Sequence, residues 1–362
     1  MLARPLRLAV LLVAMGAMLI CCAATTSALP VIGRSSQGHR KGQRCARHRR
    51  RHKRHRCHRR HARVHRKRRH HTPPARQSRL PAGSQYVSFA NDPFAHLNTG
   101  VAGAGEPSGQ SMPAGDLPGW HQVFADDFTT PVPVGGFSGC SQGPTLMTSN
   151  CPGLPSAVSA KWWAYPDGWS DTSHNGRYSP SRVLSIHDGA LDYYVHTEGG
   201  THMVAAPVPK IPGGVAGGGL QYGAYAVRFR SDLLSGYKAA WLLWPDAEGW
   251  PANGEIDFPE GNLDQHFSGF MHWMGGTSGT QQDAYPTGAG FNAWHTAIIE
   301  KTPGYCRFIL DGTVVGNSTL RIPFDPMHWV LQTETAIDGT VPSDSTSGHV
   351  QIDWVAAYTP AS

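Results

Sequence analysis

The chain has 362 residues, with 32 Lys and Arg, 25 Asp and Glu, and a formal net charge of +7 at pH 7. Its length excludes a single small domain. The net charge of the whole chain hides an uneven distribution of charge. The first acidic residue is Asp92, and residues 85–362 contain 10 basic and 25 acidic residues, a net charge of −15. The charge distribution therefore predicts a basic arm joined to an acidic domain.

The N-terminus resembles a secretory signal peptide. Two Arg residues precede an apolar run from Leu8 to Ile20, and small residues follow it. This order is typical of a signal peptide, and the run is too short for a good membrane span. Cys21 suggests a lipoprotein alternative, but Ile20 fits that processing site poorly. We predict that residues 1–28 are removed, leaving a secreted, extracellular protein without a transmembrane segment.

A basic tract follows. Residues 34–71 contain 18 Lys and Arg and no acidic residue, so residues 29–71 are expected to be a disordered basic N-terminal arm. Three interpretations stay open: a solvated arm, a tether to an anionic polymer of the cell envelope that would associate the protein with the cell wall, and, least favoured, nucleic-acid or metal binding. Residues 72–118, rich in Pro, Gly, Ala and Ser, predict a flexible linker before a domain at 119–362.

Short β-rich runs separated by Gly, Pro, Asn and Asp fill the acidic domain. The clearest are Ala190–His196, Gly223–Arg230, Phe308–Leu310 and Val350–Tyr358. Asp311 and Gly312 predict a hairpin turn. Many short strands favour an all-β sandwich or jelly roll, which we expect to be a monomer.

The cysteines are compatible with an oxidising compartment. Cys140 and Cys151 flank a loop of Pro, Gly and Ser and are the first choice for a disulfide. Cys306 lies in a strand-like run and is predicted to be a buried free thiol. Whether Cys45 pairs with Cys57 stays open, because that bond would constrain only the arm.

Three carboxylates are crowded into one strand-like stretch, at Glu255, Asp257 and Glu260. Like charges so close cannot all stay ionised, so one pKa must rise. A glycosidase needs such a difference between its two carboxyl groups. The alternatives are a solvated acidic loop or a structural ion-pair site. Both are disfavoured because no Lys or Arg lies between Lys238 and Lys301 in the sequence.

The spacing of the three acids predicts an irregular strand. Alternation places Glu255 and Asp257 on one face and Glu260 on the other. A one-residue bulge at Phe258 and Pro259 would return Glu260 to the first face, and bulges are frequent beside active sites.

Tryptophans surround the acids in the sequence. Trp241, Trp244 and Trp250 precede them, and Trp273 follows them beside His272. An indole suits the apolar face of a sugar ring, although each Trp could instead belong to the core. Trp241 and Trp244 point to opposite faces of one strand, so at least one of them is structural.

The stretch from Gly249 to Glu260 resembles the catalytic strand of glycoside hydrolase family 16, in the E-x-D-x-x-E form of laminarinase-type members. Other segments resemble the family in the same order along residues 120–360: 123–128, 239–243, 266–272, 308–312 and 352–358. The resemblance implies a concanavalin-like β-jelly roll sandwich. It implies Glu255 as nucleophile, Asp257 as assisting acid and Glu260 as general acid/base.

The resemblance also implies contacts with a polysaccharide. His272 is expected to touch substrate or Asp257, with a structural His as the alternative. The further predicted substrate-binding residues are Trp241, Trp250, Trp273, Gln332 and Glu334. Catalysis requires no cofactor. Some family members bind a structural calcium ion near the closing strand, where Asp353 is either a ligand or a buried turn cap.

The function expected from this resemblance is a retaining endo-β-glycanase that cleaves β-1,3- or mixed-linkage β-glucan. A transglycosylase, or a hydrolase of a galactan-type polysaccharide, would use the same site. Departures at Ala226, at Phe258–Pro259 and at Gln332 and Glu334 leave the sugar and linkage open. A non-catalytic carbohydrate-binding jelly roll is the alternative of another class, and we would expect it to have lost one of the three acids.

Overall fold

The computed structural model describes residues 92–99, 107–214 and 218–361. The predicted signal peptide, the basic arm, Cys45 and Cys57 lie outside the described residues. Within them the strands are β1 (Trp120–Asp126), β2 (Trp162–Ala164), β3 (Gly176–Tyr178), β4 (Leu184–His187), β5 (Ala190–Glu198), β6 (Thr201–Val204), β7 (Pro207–Pro209), β8 (Gly223–Ser231), β9 (Tyr237–Pro245), β10 (Glu255–Asn262), β11 (His266–His272), β12 (Gln282–Gly290), β13 (His295–Lys301), β14 (Cys306–Leu310), β15 (Thr313–Ser318), β16 (Met327–Thr335) and β17 (Gly348–Pro360).

The helices of the described residues are short, with at most seven residues each. The helices are α1 (Ser156–Ser159), α2 (Pro180–Val183) and two 3₁₀ helices, Pro93–Thr99 and Leu146–Thr148. None of the helices in the described ranges is long and apolar enough to cross a membrane.

Two sheets form a sandwich, which confirms the predicted all-β class. The larger sheet has the order β15-β14-β13-β8-β17-β5-β6-β3, with β1 also paired to β17 and β4 to β5. The second sheet has five strands in the order β12-β11-β10-β9-β16, and a small pair joins β2 to β7. The strand that carries the three acids, β10, is the middle strand of the five.

Aromatic side chains fill the space between the sheets. Trp241 of β9 packs edge-on against Phe229 of β8, with ring centroids 5.0 Å apart. Phe258 of β10 meets Phe308 of β14 in the same way at 5.4 Å. The inner face of the five-stranded sheet is therefore a packed core, and its other face is left for the acids.

The predicted strands and hairpin are confirmed. β5, β8, β14 and β17 cover the four predicted runs. Asp311 and Gly312 connect β14 to β15 with φ angles of 49° and 81°. Positive φ at both central residues is what the favoured two-residue hairpin turn requires.

The start of the folded domain was predicted too late. Phe94, which lies in the linker predicted at residues 72–118, packs onto the outer face of the larger sheet. Phe94 is fully buried, with ring centroids 5.2 Å from Trp120 and 5.3 Å from Tyr358. That outer face also carries Ala224 and Trp354, both fully buried. A sheet that is apolar on both faces needs a cover on each side, and composition alone does not reveal this need.

The cysteine predictions are confirmed. Cys140 and Cys151 form a disulfide with an S–S distance of 2.07 Å. Cys306 is a buried free thiol on β14, and burial raises its pKa far above the usual thiol range. This cysteine is therefore unsuited to act as a nucleophile.

Candidate active site

A bulge in β10 brings the three acids to one face. Asp257 pairs with Phe270 of β11 and Leu242 of β9, whereas Glu260 pairs with Ser268 and Ala240. β10 thus has one extra residue relative to both neighbouring strands, at Phe258 and Pro259, whose peptide bond is cis. The bulge predicted from the spacing is confirmed.

Side chains on β10 alternate as the strand geometry requires. Ile256 and Phe258 are buried in the core between the sheets. Glu255 and Asp257 point to the other face and are nevertheless only 0% and 2% exposed. Other side chains must therefore cover these two acids on the outer face of the five-stranded sheet.

His272 lies against both buried acids. It pairs with Glu255 across the β10–β11 ladder. Its Nε2 atom is 3.5 Å from Asp257 Oδ2 and 3.9 Å from Glu255 Oε2. The indole of Trp250 stands edge-on to the His272 ring at a centroid distance of 6.2 Å. His272 and Trp250 are thus beside the acids, as the sequence predicted.

Burial and mutual repulsion raise the pKa values of the two inner acids. Burial, and then the charge of Asp257, raise the pKa of Glu255 well above its usual range. Burial, and then the charge of Glu260, do the same to the pKa of Asp257. Within the described residues, both oxygens of Glu255 and Oδ2 of Asp257 lack a hydrogen-bond partner. Two carboxyl groups so placed are harder to ionise together than either would be alone.

Glu260 has a cationic partner that the sequence argument missed. Lys238 Nζ donates a hydrogen bond to Glu260 Oε1 at 2.6 Å. The antiparallel pairing of β9 with β10 sets Lys238 opposite Asn262, two residues beyond Glu260. The prediction that no basic residue neutralises the cluster is therefore wrong, because it considered distance along the chain and not across the sheet.

Trp241 does not lie in the site. Its side chain is fully buried and packs against Phe229 of the opposite sheet. The prediction that Trp241 is a sugar platform is therefore wrong. Trp244, on the opposite face of β9, is half-buried and donates a hydrogen bond to Glu248 Oε2 at 2.8 Å. Of these two residues, the structural tryptophan is Trp241.

Of the remaining predicted contacts, Gln332 and Glu334 lie on β16, beside β9, and Trp273 follows β11. Gln332 and Glu334 of β16 are buried, and Tyr178 Oη donates to Glu334 Oε1 at 2.7 Å. Glu334 pairs with Lys238 across the β9–β16 ladder and so shares its face. Trp273, just beyond β11, donates to Asp283 Oδ1 at 3.0 Å.

An aromatic cluster next to the acids escaped the sequence analysis. Tyr165 packs against Trp169 and Tyr178, with ring centroids 5.5 Å and 5.3 Å away. Burial raises the pKa of Tyr165, and the charges of Glu248, Glu334 and Glu255 raise it further. Tyr178 links the cluster to the acids through its hydrogen bond to Glu334. The density of aromatic residues between Trp162 and Trp169 was the available signal.

Two places have residue types that bind metal ions in proteins. Among the described residues, the group with ligand types for a divalent cation is Glu255, Asp257 and His272, whose ligand atoms lie within 4.8 Å of one another. At Asp353, Oδ2 accepts the backbone N–H of Ser108 at 3.2 Å. The guanidinium of Arg228 faces the same carboxyl. Oδ1 of the same carboxyl has no hydrogen-bond partner among the described residues, so the calcium ligand and the turn cap both stay predictions.

Comparisons with solved structures agree with the fold. The structure resembles that of SCLam, a non-specific endo-β-1,3(4)-glucanase from family GH16, with a TM-score of 0.51, 18% sequence identity, and coverage of 69% of this chain and 95% of the other. It also resembles the laminarinase from Rhodothermus marinus, with a TM-score of 0.51, 20% identity, and coverage of 67% and 98%. No protein-family model and no curated protein matches the sequence. At these identities the similarity shows that the chain has the fold of these enzymes.

Proposed function

We propose that the protein is a retaining endo-β-glycanase of glycoside hydrolase family 16 that hydrolyses β-1,3- or mixed-linkage β-glucan. The observation that supports the proposal most is the bulged β10, which sets Glu255, Asp257 and Glu260 on one face of the sheet. The fold shared with SCLam and the Rhodothermus marinus laminarinase adds support.

In the proposed mechanism, Glu255 is first the nucleophile and then the leaving group, while Glu260 is first the acid and then the base. Ionised Glu255 attacks that carbon while Glu260 gives a proton to the leaving oxygen. Water then attacks the glycosyl-enzyme, Glu260 takes the proton of that water, and Glu255 leaves. Asp257, between the two, can hold the proton that Glu255 must release before it attacks, because burial raises the pKa of both groups.

Sugar rings would be held by residues around these acids. Trp250 and His272 stand at the Glu255 end, and Tyr165 and Trp169 approach from the segment after β2. Aromatic rings beside carboxyl groups suit a carbohydrate, which offers an apolar face and hydroxyl groups. The mechanism uses no cofactor.

Turnover of defined polysaccharides tests the proposal. Wild type and Glu255→Gln should be incubated with laminarin, lichenan, agarose and carrageenan. We expect products from laminarin or lichenan with the wild type alone. Products from agarose or carrageenan would favour the galactan-type alternative. No turnover of any substrate, together with retained polysaccharide binding, would favour the non-catalytic module.

The stereochemistry of the first product tests the double displacement. Proton NMR of the initial product should show retention of the β-configuration. Larger products that accumulate beside the hydrolysis products would indicate that a sugar competes with water as acceptor. Initial inversion would contradict the assignment of Glu255 as nucleophile.

We also propose that the protein is exported and that residues 34–71 tether it to an anionic polymer of the cell envelope. The support is the sequence, with 18 Lys and Arg and no acidic residue in that range. Deletion of residues 34–71 should leave turnover of a soluble substrate unchanged and weaken retention on anionic cell walls. Loss of turnover would mean that the arm belongs to the enzyme's fold.

A further inference from the structure

The general acid/base candidate is held by a buried lysine from the neighbouring strand. The side chain of Lys238 is 5% exposed, and its Nζ lies 2.6 Å from Glu260 Oε1. Burial alone would lower the pKa of Lys238, but the charges of Glu260 and Glu334 outweigh it and raise that pKa above its usual range. Lys238 therefore stays an ammonium ion.

A stabilising role accounts poorly for this lysine. Two charges taken out of water lose their hydration, so the presence of a buried ion pair is weak evidence for a stabilising role, even though removing one partner of such a pair is costly. The lysine contacts only one oxygen of Glu260 in this pair, and the side chain of Glu260 is 19% exposed. The arrangement restrains the carboxyl while leaving Oε2 for other contacts.

We propose that Lys238 is a positioning residue for the acid/base step, and this inference rests on the proposed function. By binding Oε1, it turns Oε2 of Glu260 toward the glycosidic oxygen. In the first step the proton passes from Oε2 to that oxygen as the C1–O bond breaks and the bond from Glu255 to C1 forms. In the second step water bonds to C1, the bond to Glu255 breaks, and the proton of the water returns to Oε2. Lys238 keeps its own proton throughout.

The charge of Lys238 also acts on the carboxylate that forms in the first step. The charged or titratable groups that face Glu260 from the packed strands are Lys238 of β9, Glu255 and Asp257 of β10, and Glu334 of β16, while His272 of β11 lies against Asp257. The β11 residue opposite Glu260 is the neutral Ser268. Lys238 is thus the cation that faces these carboxyl groups, and its charge stabilises the carboxylate that Glu260 becomes once its proton has left.

The dependence of kcat/KM on the leaving group of the substrate distinguishes a positioning role of Lys238 from a structural one. Lys238→Met and Lys238→Arg should be compared with the wild type on laminarin and on a 2,4-dinitrophenyl β-glycoside, whose leaving group departs without a proton. For Lys238→Met we expect kcat/KM on laminarin to fall by about 10- to 100-fold, within the range of general acid catalysis. On the dinitrophenyl substrate kcat/KM should change by less than about threefold. The Arg variant should recover most of the loss.

The pH profile gives a second readout. The alkaline limb of kcat/KM on laminarin should move in Lys238→Met and stay in place in Lys238→Arg, because only the Met variant removes the positive charge 2.6 Å from Glu260 Oε1. Lys301→Met is the matched control. Lys301 is also buried, and its Nζ donates to the backbone oxygen of Asp325 at 2.5 Å, away from the acids. This control should lower the unfolding temperature and leave both readouts unchanged.

Three outcomes decide the inference. Equal losses on both substrates with an unmoved alkaline limb would overturn it in favour of structural support. Unchanged turnover of laminarin by Lys238→Met would also overturn it. A wild type that turns over neither substrate would overturn the proposed function itself, and the inference with it.

Discussion

The protein buries two clusters of charged residues, and they differ in how their charges are matched. In the strap cluster (Asp92, Glu300 and Arg307), one guanidinium bonds both carboxyls, Asp92 at close range and Glu300 at 3.0 Å. It ties the segment before Phe94 to the larger sheet. The acid cluster, on the five-stranded sheet, holds Glu255, Asp257, Glu260 and Glu334, and within the part of the chain that the structure describes its Lys or Arg partner is Lys238.

The difference separates a cluster that supports the fold from one suited to chemistry. Buried polar atoms without partners cost free energy, so they are rare where stability alone decides. Both oxygens of Glu255 are such atoms among the described residues. In contrast, Glu300 and Arg307 are direct partners across the β13–β14 ladder. Unmatched carboxyls with raised pKa values are therefore the better indication of an active site.

Glu255→Gln should sharpen this comparison most. We expect turnover of laminarin to fall by about 10⁴-fold or more, as for other nucleophile substitutions. The thermal unfolding midpoint should not fall, because an amide replaces a buried carboxyl that lacks partners. A variant that loses stability along with activity would mean that Glu255 also supports the fold.

Arg307→Met tests whether the strap cluster stabilises the fold. It leaves two buried carboxyls without their cation, and we expect a loss of about 3–5 kcal/mol in unfolding free energy, measured by denaturant titration. The control is Arg182→Met, which removes the exposed partner of Glu198 at 3.7 Å and should change stability little. Equal effects of the two substitutions would break the distinction between the clusters.

Glu300→Gln should have the smallest effect, seen in the pH dependence of stability. Burial, and then the charge of Asp92, raise the pKa of Glu300 from 4.5 to about 8. Between these values the folded protein keeps a proton that the unfolded chain has released, so the wild type loses stability as pH rises. The variant should lose less over the same interval in denaturant titrations at pH 5 and pH 8. Parallel slopes for the two proteins would show that Glu300 is ionised in the fold.

The sequence predicted what local pattern determines and missed what depends on contacts across strands. Alternation and spacing were enough for the bulge at Pro259 and for the common face of the acids. Trp241 was assigned to the wrong face of β9. The alternation of side chains shows that a strand has two faces, but it does not show which face packs against the second sheet. Lys238 was missed because its contact with Glu260 crosses two strands that are 22 residues apart in the chain. Phe94 was assigned to a linker because nothing nearby in the sequence shows that a sheet needs a cover.

Because β10 is the middle strand of its sheet, the residues that break the glycosidic bond and the residues that contact the sugar lie on different parts of the fold. β9 and β11 hold it by hydrogen bonds on both sides, so the acids are fixed by the most protected strand of the sheet. The aromatic residues around them, Tyr165, Trp169 and Trp250, lie in connecting segments outside the strands. Insertions and substitutions are tolerated far better in such segments than in a central strand. Descendants of this sequence could therefore acquire new polysaccharide preferences while inheriting the same bond-breaking residues unchanged.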